Sequence, residues 1–214
     1  LMNSGSSRVY RGGSWSSVGD VCRSAARFAN LPTERLLGFR VALVPREGPS
    51  VPAQPKPATS TVPPVSPIDD GAVGKVISVT LPGGVEMKFC YCPPGKFEMG
   101  SPKTEEGRTD AEDAVPVQIT QGYWLAQTEC TQGQWEALMG SNPSNFKGSK
   151  NLPVEQVSWY DAQGLITKLN EAVRLPAGWT FSLPTEAQWE YACRAGKPGA
   201  FAFGDTLTSE QANF

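Results

Sequence analysis

The stretch RGGSWSSVGDVCRSAARFANLPTERLLGFR, residues 11–40, decides how the rest of the chain can fold. Gly12 and Gly13 follow soon after Val9 and Tyr10, which predicts a strand that runs into a tight turn, because glycine adopts positive φ at no steric cost. It leads into an alternating apolar run, residues 39–43, which predicts a final strand. A strand must pair with neighbours, so the partner strands have to come from elsewhere in the chain.

The composition of the 214 residues excludes several classes of protein. Lysine and arginine number 19 against 21 acidic residues and form no basic stripe, so we expect no nucleic-acid partner. No apolar run approaches the length of a transmembrane helix, so we expect no membrane partner. The 22 glycines, 19 prolines and 6 tryptophans are typical of a loop-rich domain held by large aromatic side chains. Histidine is absent, which lowers the expectation of acid–base or metal-dependent catalysis.

A change of composition divides the chain into three parts. Residues 45–75 are rich in proline, serine, threonine and alanine and contain no aromatic residue, so we interpret them as an extended linker. Residues 1–44 form a front segment with too little apolar surface to fold alone. Residues 76–214 form the main part. We expect the front segment to dock on an open sheet edge of the main part.

Local signals in the main part predict short strands and three helices. Pro82, Gly83 and Gly84 separate two alternating apolar runs, which indicates a hairpin. Helices are predicted after Thr131, Ser158 and Thr185, because each is a favourable N-cap ahead of apolar residues at helical spacing. The predicted fold class is α+β, loop-rich, with short antiparallel sheets and two to three helices.

An ordered series of motifs resembles the formylglycine-generating-enzyme family, whose members are also called sulfatase-modifying factor domains. In the main part the series is LPGG (81–84), PPGKFEMGS (93–101), TECTQGQW (128–135), NPSNF (142–146), LPVEQVSW (152–159) and LPTEAQWEYA (183–192). In the front segment, residues 11–15, 22–27 and 38–40 resemble the C-terminal end of the family's domain. The resemblance implies an irregular C-type-lectin-like fold, with a strand within residues 20–29 where propensity alone indicates a short helix.

The order of the motifs is unusual, because the closing section of the domain precedes its opening section. The family's middle section, with its Gly-Asn-Val-Trp-Glu-Trp motif, has no counterpart. Two arrangements account for this order. In one, the chain is a window of a tandem array that holds the tail of one domain, a linker and most of the next. In the other, it is a circularly permuted and shortened domain. The Pro-rich linker and the abrupt end at Phe214 favour the tandem array.

The family's chemistry depends on cysteines that this chain lacks. The resemblance implies oxidation of a sulfatase cysteine by a copper ion held between two thiolates, since soft sulfur suits Cu(I). Ser17 stands where the first of these cysteines is expected, and the second falls in a stretch that is shorter here, so we do not expect copper. The remaining catalytic candidates are Ser14, which matches an active-site serine of the family, and Cys22, which aligns with neither copper ligand.

The leading hypothesis is therefore a non-catalytic binding or scaffolding module with a protein or glycan ligand. Folds of this type present an irregular loop face to ligands, and the resemblance implies contacts near the Gly-Gly-Ser-Trp motif. The implied binding residues are Ser16, Ser17, Val18, Gly19 and Asp20. A plain solvent loop is the alternative for this stretch. The alternative function is a copper- and oxygen-dependent formylglycine-generating oxidase that acts on a sulfatase peptide and whose active site is incomplete in this chain.

Acidic side chains and amides raise the question of calcium. Asn213, with the backbone of Phe214, resembles a calcium ligand of the family, so the resemblance implies a partial calcium site. The acids within residues 105–113 lack the spacing of a calcium loop and are expected to be solvent-exposed. Glu186 and Glu190 lie one helical turn apart, and we expect them to serve the helix dipole or an arginine rather than catalysis.

The five cysteines cannot all pair within the chain. Cys90 and Cys92 lie on one face of a predicted strand, too far apart for a comfortable disulfide, and no third ligand is evident for a metal. Cys130 and Cys193 are expected to be buried free thiols. The resemblance implies that Cys193 pairs with the tail strand in some family members, but residues 38–41 contain no cysteine.

Overall fold

The structure is a computed structural model that describes residues 7–12, 22–35, 38–46, 71–208 and 210–211. These residues belong to two compact units. The first unit comprises residues 1–34, 95–120 and 185–214, and the second comprises residues 35–94 and 121–184. Each unit therefore combines part of the front segment with pieces of the main part.

The regular elements of the described residues are short strands and three α-helices, joined by loops. In chain order they are β1 (Arg8–Tyr10), β2 (Phe28–Asn30), β3 (Ala42–Pro45), β4 (Val76–Thr80), β5 (Glu86–Cys92), β6 (Gly95–Met99), β7 (Val115–Ile119), β8 (Tyr123–Ala126), α1 (Gln132–Met139), α2 (Trp159–Ala172), β9 (Trp179–Ser182) and α3 (Glu186–Arg194). One-turn 3-10 helices lie at Pro82–Gly84 and Asp110–Glu112. The predicted α+β, loop-rich class with short antiparallel sheets is confirmed.

A five-stranded antiparallel sheet, in the order β4-β5-β8-β3-β9, forms the centre of the second unit. The predicted hairpin is confirmed, since β4 and β5 pair across the 3-10 turn. The front segment's last strand, β3, lies inside the sheet. Its Leu43 is opposite Trp124 on β8 and opposite Phe181 on β9. Because β3 pairs on both sides, its backbone groups are satisfied as those of an interior strand should be.

The apolar face of this sheet packs with α1 and α2 into the core of the second unit. On β5, Met87, Phe89 and Tyr91 are buried and Lys88 between them is exposed, which is the alternation that the sequence predicted. Leu165 and Leu169 of α2 are fully buried in the same core. Apolar burial is thus the main stabilising term of this unit.

All three helices begin where the sequence predicted. Thr131, Ser158 and Thr185 each form a capping box, in which the cap side chain and the third helical residue satisfy each other's backbone N–H groups. α1 ends at Gly140 in the left-handed region, whereas α3 ends at Ala195 with φ 47° before Gly196. No helix among the described ranges is both long and apolar enough to cross a membrane.

The first unit contains two two-stranded sheets, β1-β2 and β6-β7, and the helix α3. The strand that the resemblance implied within residues 20–29 begins only at Phe28, whose ring stacks on Tyr10 at 5.4 Å. Tyr191 of α3 packs on Phe97 of β6, with 5.3 Å between the ring centroids. Fewer large apolar side chains are buried here than in the second unit, and polar contacts take a larger share of the packing.

Candidate functional site

Three arginines of the front segment meet four carboxylates within the first unit. We call Arg11, Arg23 and Arg27, together with Glu105, Glu112, Glu186 and Glu190, the arginine cluster. The arginines flank and follow the Gly-Gly-Ser-Trp motif, and the carboxylates come from α3 and from the loop before β7. The cluster therefore fixes Arg11 and Arg23, the described residues on either side of the stretch in which the sequence analysis predicted binding residues.

Arg11 precedes the motif and binds two glutamates of α3. Its Nη2 donates to Oε1 of Glu186 at 2.7 Å, and its Nη1 donates to the backbone oxygens of Ser24 and Ala25. Nη1 also lies 2.8 Å from Oε2 of Glu190, an ion-pair contact without the alignment of a hydrogen bond. The Arg11 side chain is only 4% exposed, so this end of the motif is held by buried charge pairs.

Arg23 follows the motif and is held as firmly. Its Nη1 donates to Glu112 at 2.8 Å and to Glu105 at 2.6 Å, and its Nη2 donates to the backbone oxygen of Gly107 at 2.6 Å. The side chain is 4% exposed and the Glu112 side chain is fully buried. Arg27, which directly precedes β2, donates to Glu186. Planar guanidinium groups suit such paired contacts with carboxylates.

Glu190 is the most buried carboxylate of the cluster. Its Oε1 accepts from the backbone N–H of Gly100 and from Nε of Arg194, both at 2.8 Å. Gly100 has φ 100°, and a Cβ there would lie 2.6 Å from the backbone oxygen of Asp113, so only glycine fits. Glu190 thus joins α3 to the end of β6, a structural task.

The arginines keep two of these carboxylates ionised. Burial alone would raise the pKa of Glu112, but the hydrogen bonds and charge of Arg23 outweigh it and lower the pKa below its ordinary value of 4.5. Burial likewise opposes ionisation of Glu186, but Arg27 and Arg11 together lower its pKa. A general acid near neutral pH needs a raised pKa, so neither group is suited to that role.

Two predictions about the acids can now be judged. Glu186 and Glu190 pair with arginines, as expected, and Glu186 also lies in the first turn of α3. The prediction of a solvent-exposed acidic loop at residues 105–113 is wrong for Glu112 and Glu105, because both side chains are buried in ion pairs with Arg23. The prediction holds for Asp113, whose side chain is 72% exposed and pairs with Arg108.

The predicted site residues fall mostly outside the described residues. Ser14, Ser16, Ser17, Val18, Gly19, Asp20, Asn213 and Phe214 all belong to that group. Cys22 is described and is half-buried directly before Arg23. Burial raises the pKa of its thiol, which keeps it protonated at neutral pH and makes it a poor nucleophile. The anchoring arginines were not predicted, because their partners are distant in sequence.

Cys130 and Cys193 lie in distinct surroundings. Cys130 is 1% exposed in the core of the second unit, as predicted, and burial and the charge of Glu129 raise its pKa to about 12. Cys193 is half-buried, and its Sγ lies 3.6 Å from Oγ of Ser24. The residue of the front segment that contacts Cys193 is therefore Ser24, which lies between Arg23 and Arg27. It is not one of residues 38–41, where a disulfide partner was looked for in the sequence.

A shallow cleft of about 220 Å³ lies in the second unit. Arg35, Trp135, Met139 and Asp161 are among its lining residues. Asp161 accepts from the N–H and hydroxyl of Ser158 and so caps α2. Arg35 is 3.6 Å from Asp161 and 62% exposed, a weak surface contact. Nothing in this lining favours a particular chemistry.

The donor set does not fit the copper ion that the resemblance implies. The position of its first thiolate holds Ser17, whose hydroxyl is a hard ligand for a soft ion. Within the described ranges, no three cysteine or carboxylate side chains come together as a metal site.

The fold is that of a C-type-lectin-like domain, built here from short antiparallel sheets and three helices. The family model described as the sulfatase-modifying factor enzyme 1-like domain matches residues 84–214, more than half of the chain, and the chain therefore belongs to this family. The match confirms the resemblance for the main part, and it begins after the front segment.

Curated relatives match over part of their length. The formylglycine-generating enzyme of Streptomyces coelicolor is 43% identical over 35% of this chain and 20% of its own. The protein called chaperone protein LppX of Paenibacillus barcinonensis is 33% identical over 35% of this chain and 37% of its own. The chain thus spans 20% to 37% of the length of these two relatives.

A solved structure, Treponema denticola variable protein 1, superposes with a TM-score of 0.52. The match covers 63% of this chain and 62% of that protein, at 23% sequence identity. At this identity the match shows a shared fold and nothing further.

Proposed function

We propose that this chain is a non-catalytic module of the family that binds another molecule through the segment between Arg11 and Arg23. The observation that carries the proposal is the anchoring of both described ends of this stretch. Arg11 and Arg23 are each 4% exposed and are fixed to separate sets of carboxylates. Binding loops are commonly carried on a rigid scaffold in this way. Ser16, Ser17, Val18, Gly19 and Asp20 are the proposed contact residues.

A protein ligand is favoured over a glycan by one comparison. A relative carries the name of a chaperone protein, and a chaperone must contact another polypeptide. The formal net charge of −2 is too small to oppose the binding of a polypeptide. We therefore propose a polypeptide as the ligand, with a glycan as the alternative.

The rival function is the formylglycine-generating oxidase, which the Streptomyces relative favours. Its chemistry needs thiolates, and the replacement of the expected first copper ligand by Ser17 argues against it. The described thiols that burial affects, Cys22, Cys92 and Cys130, all have raised pKa values. The carboxylates of α3 are held in ion pairs and so do not replace the thiolates in this role.

Two assays on the full chain separate these functions. A sulfatase peptide with the target cysteine is incubated with the protein, copper and oxygen, and mass spectrometry measures aldehyde formation. A displayed peptide library and a glycan array are screened with the same protein. We expect no aldehyde and a peptide that binds. Turnover of the sulfatase peptide above the protein-free rate would overturn the module proposal.

Loop variants locate the binding. Ser16, Ser17 and Asp20 are replaced together by alanine, and we expect the selected peptide to lose affinity at least about tenfold, because a few contacts carry most binding energy. The matched control replaces Lys103, Thr104 and Glu106, three exposed residues of another loop of the first unit. Equal loss of affinity in both variants, or loss in neither, would refute the proposal that this segment carries the binding residues.

For the domain organisation, we propose that residues 1–44 complete the domain that residues 76–214 begin, with residues 45–75 as the linker. The pairing of β3 with both β8 and β9 supports this view. The tandem-array and permuted arrangements both accommodate it. We also propose that Asn213 and the backbone of Phe214 contribute to a calcium site, which calcium titration of the chain and of its Asn213→Ala variant would test.

A further inference from the structure

We propose that β4, an edge strand of the five-stranded sheet, pairs with β4 of a second copy of this chain. The sheet of the second unit has the order β4-β5-β8-β3-β9, so β4 and β9 are its two edges. An edge strand presents unpaired N–H and C=O groups that can pair with another chain. This surface belongs to the second unit and is independent of the segment between Arg11 and Arg23.

The β9 edge is closed by groups of its own unit. In the alternation of an antiparallel pair, Trp179 and Phe181 turn their backbone groups away from β3. The side-chain amide of Asn170 donates to the Phe181 oxygen, and its Oδ1 accepts from the Phe181 N–H, both at 3.0 Å. The Trp179 oxygen accepts from Nε of Arg46 at 3.1 Å, and the Trp179 N–H donates to Pro176 at 3.3 Å. Both outward residues are therefore already hydrogen-bonded, and this edge is closed to a further strand.

The β4 edge is open. The N–H of Tyr91 donates to the oxygen of Lys75, which sets the alternation along the strand. Val76, Ser78 and Thr80 accordingly turn their backbone groups away from β5. In the part of the chain that the structure describes, β4 pairs with β5 alone and no hydrogen bond reaches these outward groups. The strand itself carries neither a proline nor a charge, the two features that usually block pairing at an edge.

A second copy fits this edge because the strand is complementary to itself. In an antiparallel pair with a two-fold axis at Ser78, this residue faces its own copy and Val76 faces Thr80 of the second copy. Each outward residue then donates and accepts one hydrogen bond, about six bonds in all. The β-branched Val76 and Thr80 meet on one face and Ile77 meets Val79 on the other, which are pairs that stabilise sheets. A contact of this symmetry closes as a dimer.

Charge does not oppose the pair. Lys88 of β5 lies beside Ser78 on the exposed face of the sheet. In the dimer, three strand spacings of about 4.8 Å separate Lys88 from Lys88 of the second copy, which is roughly 14 Å and beyond the screening length of about 8 Å. The formal net charge of −2 adds little repulsion between two chains.

Sedimentation equilibrium of the reduced full chain measures the association. Because the contact is small, we expect a dimer with a Kd of about 10 μM. Ser78→Lys places two like charges face to face at the axis, and Ser78→Pro removes the outward N–H there, which an edge strand tolerates. Each should weaken the dimer at least about tenfold. Amide hydrogen exchange should show protection of Val76, Ser78 and Thr80 only at concentrations where the dimer forms.

A mixture of two variants gives the sharpest test. Ser78→Asp alone should also dissociate the dimer, whereas equimolar Ser78→Lys and Ser78→Asp chains should form a heterodimer, because opposite charges then meet at the axis. The matched controls are Ser149→Lys and Ser149→Asp, which change an exposed serine in a loop of the same unit. They should keep the Kd of the unmodified chain, and thermal melts should show that every variant is folded.

The proposal is overturned if the unmodified chain is monomeric up to about 100 μM, or if it dimerises and the Ser78 variants dimerise as well as it does. Equal weakening by the Ser149 controls, or failure of the mixed Lys and Asp chains to associate, would also overturn it. A monomer that instead binds an unrelated extended peptide along β4 would show that the edge serves a different partner.

Discussion

Arg11, Arg23 and Arg27 in the first unit and Val41 and Leu43 in the second belong to the same front segment, yet different forces hold them. The arginines are buried because carboxylates of the main part surround them. Val41 and Leu43 are buried because β3 lies inside an apolar sheet. Separation along the sequence does not explain why the two groups are held differently, because both contact residues far from them in the chain.

The two regions contribute to stability by different rules. Burying an apolar side chain stabilises by about 1.5–3 kcal/mol whatever its neighbours, provided that they are apolar. In a buried ion pair, the free energy lost when both charges leave water offsets most of their attraction. The net contribution to stability is therefore small, but removing one partner is strongly destabilising. The second unit is therefore expected to tolerate exchange among apolar side chains, whereas the first depends on particular partners.

The largest effect is expected from Glu190→Gln. The substitution keeps the shape of the side chain but leaves Arg11 and Arg194 without a buried counter-charge that both now contact. We expect the free energy of unfolding to fall by about 3–5 kcal/mol, measured by urea denaturation. Asp113→Asn removes an exposed partner of Arg108 and should cost less than about 1 kcal/mol. A loss at Glu190 as small as that at Asp113 would contradict the comparison.

Leu43→Ala should have the next largest effect, about 3 kcal/mol, because its fully buried side chain leaves a cavity between Trp124 and Phe181. Leu43→Met keeps the volume and should cost less than about 1.5 kcal/mol. Urea denaturation gives both values, and amide hydrogen exchange should show the loss of protection in β8 and β9. Equal costs for the two variants would mean that packing does not hold β3.

Ser24→Cys would add a covalent bond between the front segment and α3 in the first unit. Its side chain lies opposite Cys193, with 3.6 Å between Oγ and Sγ, so oxidation should form a disulfide. The bond constrains the unfolded chain, and we expect a gain of about 2 kcal/mol in the oxidised protein that a reductant abolishes. Intact mass measures the oxidation and thermal melting the gain. Ser24→Ala, with or without reductant, should show no such difference.

Acid should weaken the first unit selectively. Glu112 and Glu186 have pKa values lowered below 4.5 in the folded chain, so their contribution is present above the unfolded pKa and is lost as pH falls through the folded pKa. We expect a loss on the order of 1–2 kcal/mol as the pH falls below about 5. Hydrogen exchange at each pH should report it in α3. Glu186→Gln should flatten this dependence, and an unchanged slope in that variant would refute the assignment.

The sequence was sufficient where structure is set locally. The capping boxes at Thr131, Ser158 and Thr185 need only residues three positions apart, and all three helices begin there. The arginine cluster could not be predicted in the same way, because 175 positions separate Arg11 from Glu186 and 89 separate Arg23 from Glu112. The spacing of Arg23 and Arg27 could still have indicated acidic partners. Two arginines on either side of Ala25 and Ala26 are rarely buried in a turn unless carboxylates pair with them.

The smallest effect on stability is expected from Glu129→Gln in the second unit. In contrast to Glu190→Gln, this substitution should stabilise the fold. Burial raises the pKa of Glu129, and the charge of Arg40 only partly offsets this. The carboxyl lies against the backbone of Gly38, where a larger residue would collide with it. A raised pKa stabilises the fold below the unfolded pKa and loses that contribution as pH rises through the folded value.

At neutral pH, therefore, a neutral amide should be more stable than the carboxylate at position 129, by less than about 1 kcal/mol. Urea denaturation at about pH 5 and pH 8 measures the difference, which should grow with pH. Glu136→Gln, a half-exposed residue paired with Lys150, is the control and should show no such growth. If Glu129→Gln instead destabilises the chain at pH 8, then attraction to Arg40 exceeds the cost of burial. In that case the second unit also relies on a charge pair, and the contrast between the two units is one of degree.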